Sequence, residues 1–181
     1  MTRTDLPILD AGLCRLRPYR HGDEAAIAHH ANDLAIWRNM RDRFPHPYTL
    51  AEAESWIRLV AHLRPVTSFA IEVDGGLVGG IGIQLRTDIE RCGAEVGYWL
   101  GRAYWNRGIA TAALRTLTSH VFSTFGELER LFALVFADNL ASCRVLEKAG
   151  YTREALLRRN AIKEGRIRDQ VLYARLRGEE R

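Results

Sequence analysis

The stretch from Ala94 to Phe122 constrains the fold more than any other part of the chain. Ala94-Glu95-Val96-Gly97-Tyr98-Trp99-Leu100 reads as a strand. Ile109 to Phe122 reads as a helix with Leu114, Leu117, Val121 and Phe122 on one apolar side. Between them lies Trp105-Asn106-Arg107-Gly108. A helix start presents unpaired N–H groups and a partial positive charge, and Gly108 has no side chain to hold an anion away. Strand, glycine loop and helix in this order make an anion cradle. Charge-assisted hydrogen bonds contribute about 1.5–3 kcal/mol each, so several converging amides outweigh the helix dipole's ~0.3–1 kcal/mol. Taken alone, the loop fits a plain tight turn equally well.

The other elements follow from periodicity and breakers. Leu13-Cys14-Arg15-Leu16-Arg17 alternates as a half-buried strand that Pro18 closes. Gly22-Asp23-Glu24 leads into a helix over Ala25 to Leu34, with Ile27, Leu34 and Trp37 on one stripe. Phe44-Pro45-His46-Pro47-Tyr48 cannot be helical, because each proline pushes the residue before it out of the helical region. Thr49 with Glu52 forms a capping box for a helix running to about Leu63. Phe69 to Val73 and Leu77 to Leu85 flank Asp74-Gly75-Gly76, a hairpin signal. Leu131 to Phe136 is apolar on both faces, which predicts a central strand. Ala141 to Ala149 is a short helix ended by Gly150. Gln170 to Leu176 supplies a last strand, and a further one starts at Tyr151. This predicts a mixed α/β (α+β) fold, one domain over residues 1–181, with residues 1–10 as an amino-terminal arm.

Bulk properties narrow the setting. No apolar run approaches the ~18–20 residues that cross a bilayer, and Met1 to Asp10 lacks an apolar signal core. A cytoplasmic protein without membrane contact is expected. Cys14, Cys92 and Cys143 are far apart and odd in number, which fits buried or half-buried thiols and no disulfide framework. The net charge of +4 favours anionic ligands. The carboxyl-terminal arginines alternate with Glu164, Asp169, Glu179 and Glu180, so no basic block for nucleic acid forms. His29 and His30 are adjacent on a helix and diverge by about 100°, poor geometry for a metal, and no metal is expected. Gly80-Ile81-Gly82 does not extend into a dinucleotide fingerprint, since Leu85 stands where a third glycine would fall.

A second constellation runs Asp138-Asn139-Leu140-Ala141-Ser142-Cys143-Arg144-Val145-Leu146-Glu147-Lys148-Ala149-Gly150-Tyr151. Asn139 and Ser142 share a helix face, and Asn139 serves equally as an N-cap. In this order the two stretches resemble the GNAT superfamily of acyl-CoA-dependent N-acyltransferases. The family loop is Gln/Arg-x-x-Gly-x-Gly/Ala, and here it reads Trp105-Asn106-Arg107-Gly108-Ile109-Ala110. The leading tryptophan is similar to the branch of ribosomal-protein N-terminal acetyltransferases. Tyr98-Trp99-Leu100, Trp105 to Thr111, Asn139 with Ser142, Lys148-Ala149-Gly150-Tyr151, and Phe44 to Thr49 before Trp56-Ile57 all resemble that branch.

The resemblance implies a mostly antiparallel sheet of six to seven strands, flanked by helices and splayed beside the strand that ends at Leu100. It implies acetyl-CoA as acyl donor. The pantetheine arm would pair with Val96, Tyr98, Trp99 and Leu100, and Asn106, Arg107, Gly108, Ile109, Ala110 and Thr111 would hold the pyrophosphate. Asn139 and Ser142 would contact the arm, with Arg144 and Lys148 near phosphates. Where many members carry a tyrosine acid, this chain has Leu146, so Ser142 or a water it holds is the substitute acid. Glu95 is the candidate base, and an ordinary ion pair is its alternative role. The acceptor would be a primary amine, a peptide terminus or a small molecule, and a homodimer is allowed. Two alternatives stay open: a non-catalytic acyl-CoA-binding or regulatory module, and transfer of a larger acyl group such as succinyl.

Overall fold

A computed structural model of the chain describes residues 6–179. The strands are β1 (Leu9–Asp10), β2 (Arg15–Arg17), β3 (Ser68–Val73), β4 (Gly76–Leu85), β5 (Gly93–Leu100), β6 (Arg130–Phe136), β7 (Thr152–Lys163) and β8 (Arg166–Leu176). The helices are α1 (Glu24–Ala31), α2 (Leu34–Trp37), α3 (Leu50–Val60), α4 (Ile109–Thr124) and α5 (Leu140–Lys148). All eight strands form one sheet in the order β1-β2-β3-β4-β5-β6-β8-β7, antiparallel except between β5 and β6.

The strand count exceeds the expected six to seven by one, at the β1 edge. Leu9–Asp10, within the stretch read as an arm, pairs with Leu16 and Arg15; the first five residues of that arm lie outside the described ones. The strand expected to start at Tyr151 begins at Thr152 and turns through Glu164 and Gly165 into β8. Both turn residues have positive φ (51° and 72°), as a two-residue hairpin turn requires. The Asp74-Gly75 turn does the same, with φ of 50° and 80°.

The first helix is shorter than its periodicity predicts. It stops at Ala31, and a separate turn of helix starts at Leu34. Asp33 is the reason: its carboxylate accepts the Ala35 N–H at 2.7 Å and caps the new helix. The Asn32 side chain meanwhile accepts the Tyr48 N–H, so the break is held by side chains that prefer caps to helix interiors. Thr49 caps α3 as its spacing predicts.

The sheet separates two apolar clusters. On one face, Ile109, Ala113, Leu114, Leu117 and Val121 of α4 and Leu146 of α5 pack on Val96, Leu100, Leu131 and Tyr173. On the other, Ile27 and Ala31 of α1 and Ala53, Ile57 and Val60 of α3 pack with Tyr19, Ala70 and Leu77. Gly80 makes that second face possible, since a Cβ there would overlap the Tyr19 hydroxyl and lie 2.7 Å from the Trp99 indole nitrogen. Cys14 and Cys143 are buried, whereas Cys92 is exposed in the turn before β5, contrary to the expectation for all three. Among the described residues no helix is long and apolar enough to cross a membrane.

β5 and β6 are joined by only three residue pairs, from Gly93↔Arg130 to Glu95↔Phe132. Beyond them β5 stays with β4 as far as Leu100, and β6 stays with β8 as far as Phe136. The sheet therefore opens into a V whose apex is at Glu95.

A buried charge cluster ties β2, α1 and β3. Both terminal nitrogens of Arg17 bond the Asp23 carboxylate at 2.8 Å, and its Nε bonds Glu72. Arg17 and Asp23 are each about 6% exposed at the side chain. Removing this guanidinium leaves the buried Asp23 carboxylate without its counter-ion and Glu72 with only the exposed Arg20, 3.5 Å away. Arg17→Met is expected to lower unfolding free energy by about 3–5 kcal/mol in urea titration, whereas Arg20→Met, at an exposed side chain, should cost under ~1 kcal/mol.

Candidate active site at the split between two strands

The chain leaves β5 at Leu100 and must turn into α4 within residues 101–108. The turn is tightly held. Gly101 N–H donates to the Val78 carbonyl at 2.8 Å, Tyr104 N–H to Gly101 at 2.9 Å, and the Trp105 indole to the Leu100 carbonyl at 2.7 Å. The tryptophan thus pins the loop to the end of the strand. The same bond engages the Leu100 carbonyl, which leaves Val96 to Trp99 as the freer part of the edge expected to meet a ligand. Asn106 and Gly108 both have positive φ (59° and 78°). At Gly108 any side chain would be strained, and its Cβ would also sit 3.3 Å from Leu13 Cδ1.

This backbone turns its donors outward. Among the described residues, none of the amides from Asn106 to Thr111 donates to a protein acceptor; the first helical bond runs from Ala112 N–H to the Gly108 carbonyl. Asn106, Arg107 and Gly108 are exposed, Ala110 and Thr111 half-buried, and Ile109 buried, so the helix start is anchored in the core while its amides face solvent. Successive outward amides at a helix N-terminus favour a phosphate. The Arg107 guanidinium stacks over the Tyr104 ring, 5.4 Å from its centre, at the rim of this cradle.

The second constellation closes the split from the α5 side. Asn139 caps α5 by accepting the Ser142 N–H at 3.2 Å, so the plain capping role is realised. Ser142 is half-buried, and its hydroxyl lies 2.7 Å from the Tyr98 hydroxyl. Leu146, one turn on, is fully buried in the core. Arg144 and Lys148 are exposed on one side of α5, and Arg115 of α4 donates to the Lys148 carbonyl, fixing α5 beside α4.

Glu95 lies on the opposite face of β5, with Gly97 and Trp99. Its carboxylate pairs with Arg41, from the loop after α2, at 15% exposure of the Glu95 side chain. The ion pair that was its alternative role is therefore present, and it holds the carboxylate at the apex of the V. Space is open above Gly97, where a Cβ would meet nothing within 4 Å. The same loop is clasped to the β7–β8 hairpin. Lys163 Nζ bonds Asp42 at 2.9 Å and sits 3.8 Å from the Trp37 ring centre, and Arg168 donates to the Arg38 carbonyl at 3.0 Å.

Three contributors escaped the sequence reading. Arg41 had no motif to mark it. The Trp105 indole was visible only as a departure from the family loop. Tyr98 enters the sequence expectations through its backbone alone, although strand alternation places its side chain on the α4 and α5 face with Val96 and Leu100.

The chain matches the family model for the acetyltransferase (GNAT) domain over residues 14–152. It is 35% identical over 179 residues to the uncharacterized N-acetyltransferase YoaA of Bacillus subtilis, spanning 93% of this chain and 96% of that one. It is 32% identical over 124 residues to the putative ribosomal N-acetyltransferase YdaF of the same organism, covering 68% of this chain and 66% of that one. The structure of Mycobacterium smegmatis RimJ in complex with CoA-disulfide superposes with a TM-score of 0.81 at 30% identity, over 95% of this chain and 87% of that one. The open V, the outward helix start and these matches agree: the chain belongs to the GNAT family and is an acyl-CoA-dependent N-acetyltransferase.

Proposed function

We propose that the protein moves an acetyl group from acetyl-CoA to an α-amine, foremost the amino terminus of a protein, by direct attack while both substrates are bound. The observation that carries the donor half is the run of outward amides from Asn106 to Thr111 at the open end of the V. The similarity to YdaF, described as a putative ribosomal N-acetyltransferase, supports the acceptor half. We infer a cytoplasmic setting, with no membrane or direct nucleic-acid contact, and a homodimer remains compatible with this reading.

Acetyl-CoA supplies a thioester whose carbonyl carbon takes the amine and whose sulfur leaves with the bonding pair. The amides of Asn106 to Thr111 hold the pyrophosphate, with Arg107, Arg144 and Lys148 adding positive charge around it. The free edge from Val96 to Trp99 pairs with the pantetheine arm as an added strand would. Amides of that edge face the carbonyl oxygen as it gains charge. Glu95 draws the surplus proton from the amine through water. Ser142 gives its proton to the departing sulfur and recovers one from solvent, so the products are an amide and a free thiol. Serine is a weak acid, and positioning supplies most of the acceleration.

Acceptor chemistry follows from the Arg41 pairing. Glu95 is already engaged by Arg41 and reaches the amine only through water, so an acceptor that is partly neutral before it binds is favoured. An α-amine of pKa ~7.8 is neutral in roughly one part in seven at pH 7, and a lysine amine near ~10.4 in about one part in 2,500. The α-amine is the better match.

A single assay separates the readings: release of free thiol from acetyl-CoA or succinyl-CoA, with peptides and small amines as acceptors. Turnover with free-terminus peptides and none with blocked ones supports the proposal; coenzyme binding without turnover for every amine indicates the regulatory module, which the leucine at position 146 would suit. Gly108→Val is expected to weaken coenzyme binding about tenfold or more, because a branched side chain strains a left-handed residue by roughly 1–2 kcal/mol; unchanged affinity by calorimetry on the folded variant would remove the cradle. Ser142→Ala should lower kcat about tenfold while leaving coenzyme affinity within about twofold, as read from steady-state kinetics beside calorimetry.

A further inference from the structure

The hydroxyls of Tyr98 and Ser142 are 2.7 Å apart, and the Ser142 carbonyl is 3.3 Å from the same phenol oxygen. Tyr98 stands on β5 beyond the last residue pair that joins β5 to β6. Ser142 stands on α5, which follows β6. The contact therefore crosses the split from one arm to the other. We infer that Tyr98 is a positioning residue whose phenol donates its hydrogen bond to Ser142, leaving the serine's own proton directed at the departing sulfur.

A phenol has one hydrogen to give, and both acceptors within reach of it belong to Ser142. Burial raises the Tyr98 phenol above its ordinary range, so it keeps that hydrogen and has it to donate. A serine in a helix commonly turns its hydroxyl back on the carbonyl four residues earlier. At Ser142 the hydroxyl is turned to Tyr98 instead, while Asn139 holds the backbone N–H. Given to the nearer acceptor, the Ser142 hydroxyl, the phenol hydrogen fixes the hydroxyl oxygen while Asn139 holds the nitrogen, and the serine's own hydrogen is left to point into the V. The absent tyrosine acid is compensated by a tyrosine on the opposite arm, which sets the serine's direction without itself losing a proton.

This inference rests on Ser142 acting as the acid, and the test separates the two. Tyr98→Phe keeps the ring and its packing and removes only the hydroxyl. The variant, Ser142→Ala and the double variant are compared with acetyl-CoA and whichever peptide amine the thiol-release assay finds active. Support requires that Tyr98→Phe lower kcat about tenfold, leave KM and CoA affinity unchanged, and add nothing further in the Ser142→Ala background. If Tyr98→Phe instead weakens CoA binding with kcat intact, or its effect multiplies fully with that of Ser142→Ala, the positioning role is overturned. If Ser142→Ala is slow and Tyr98→Phe is normal, only the positioning role fails. If Ser142→Ala is normal, the serine acid itself fails, whatever Tyr98→Phe does.

Discussion

Everything in this molecule depends on two neighbouring strands parting. A parallel pair normally continues until one strand ends, because main-chain groups inside a protein need partners. Here β5 and β6 separate after Glu95 and Phe132, although each continues for several residues and each keeps its other neighbour. One edge of β5 is left without a cross-strand partner from Val96 onward. The crossover from β5 to β6 then starts α4 at the open end of that gap, so an unpaired strand edge and an unpaired helix start face the same space. Neither is favourable in isolation. Together they form one continuous donor surface suited to an elongated ligand with an anionic end.

Much of this was legible from residue patterns. The strand over Ala94 to Leu100, the glycine loop, the helix from Ile109, the central strand ending at Phe136 and the capped helix after Asn139 all lie where periodicity and breakers put them. They were legible because each is decided locally, by a cap, a turn residue or an apolar stripe. What was not legible was decided at a distance. The break between α1 and α2 needs Asp33 to outcompete a helical alanine-rich pattern. The eighth strand exists because Leu9–Asp10 finds β2, a pairing too short to leave a pattern. The Arg41 to Glu95 ion pair joins positions 54 apart, and no spacing rule reaches that far.

The same distinction separates the two halves of the site. The proposed donor half is made from short contiguous stretches, residues 96–111 and 139–148, and so it left recognisable motifs. The opposite face is assembled from the loop after α2, the apex of the V and the β7–β8 hairpin, each held by side chains of another. Such a surface has no compact signature. That is the physical reason the acyl donor can be read from a single sequence while the acceptor is approached through pKa arithmetic and similarity.

The clasp between Lys163, Asp42 and Trp37 carries a consequence for how this enzyme can diverge. It couples the hairpin to the loop beside Glu95, yet it touches nothing in the glycine loop or α5. Arg168 of the same hairpin pairs with Asp138 beside the α5 cap and links the two sides. On the proposed function, changes at Lys163, Asp42 and Trp37 instead reshape the acceptor face with little effect on the glycine loop, since distant sites with no shared partner combine nearly additively. One catalytic frame can in this way acquire new amines without relearning how to hold its donor.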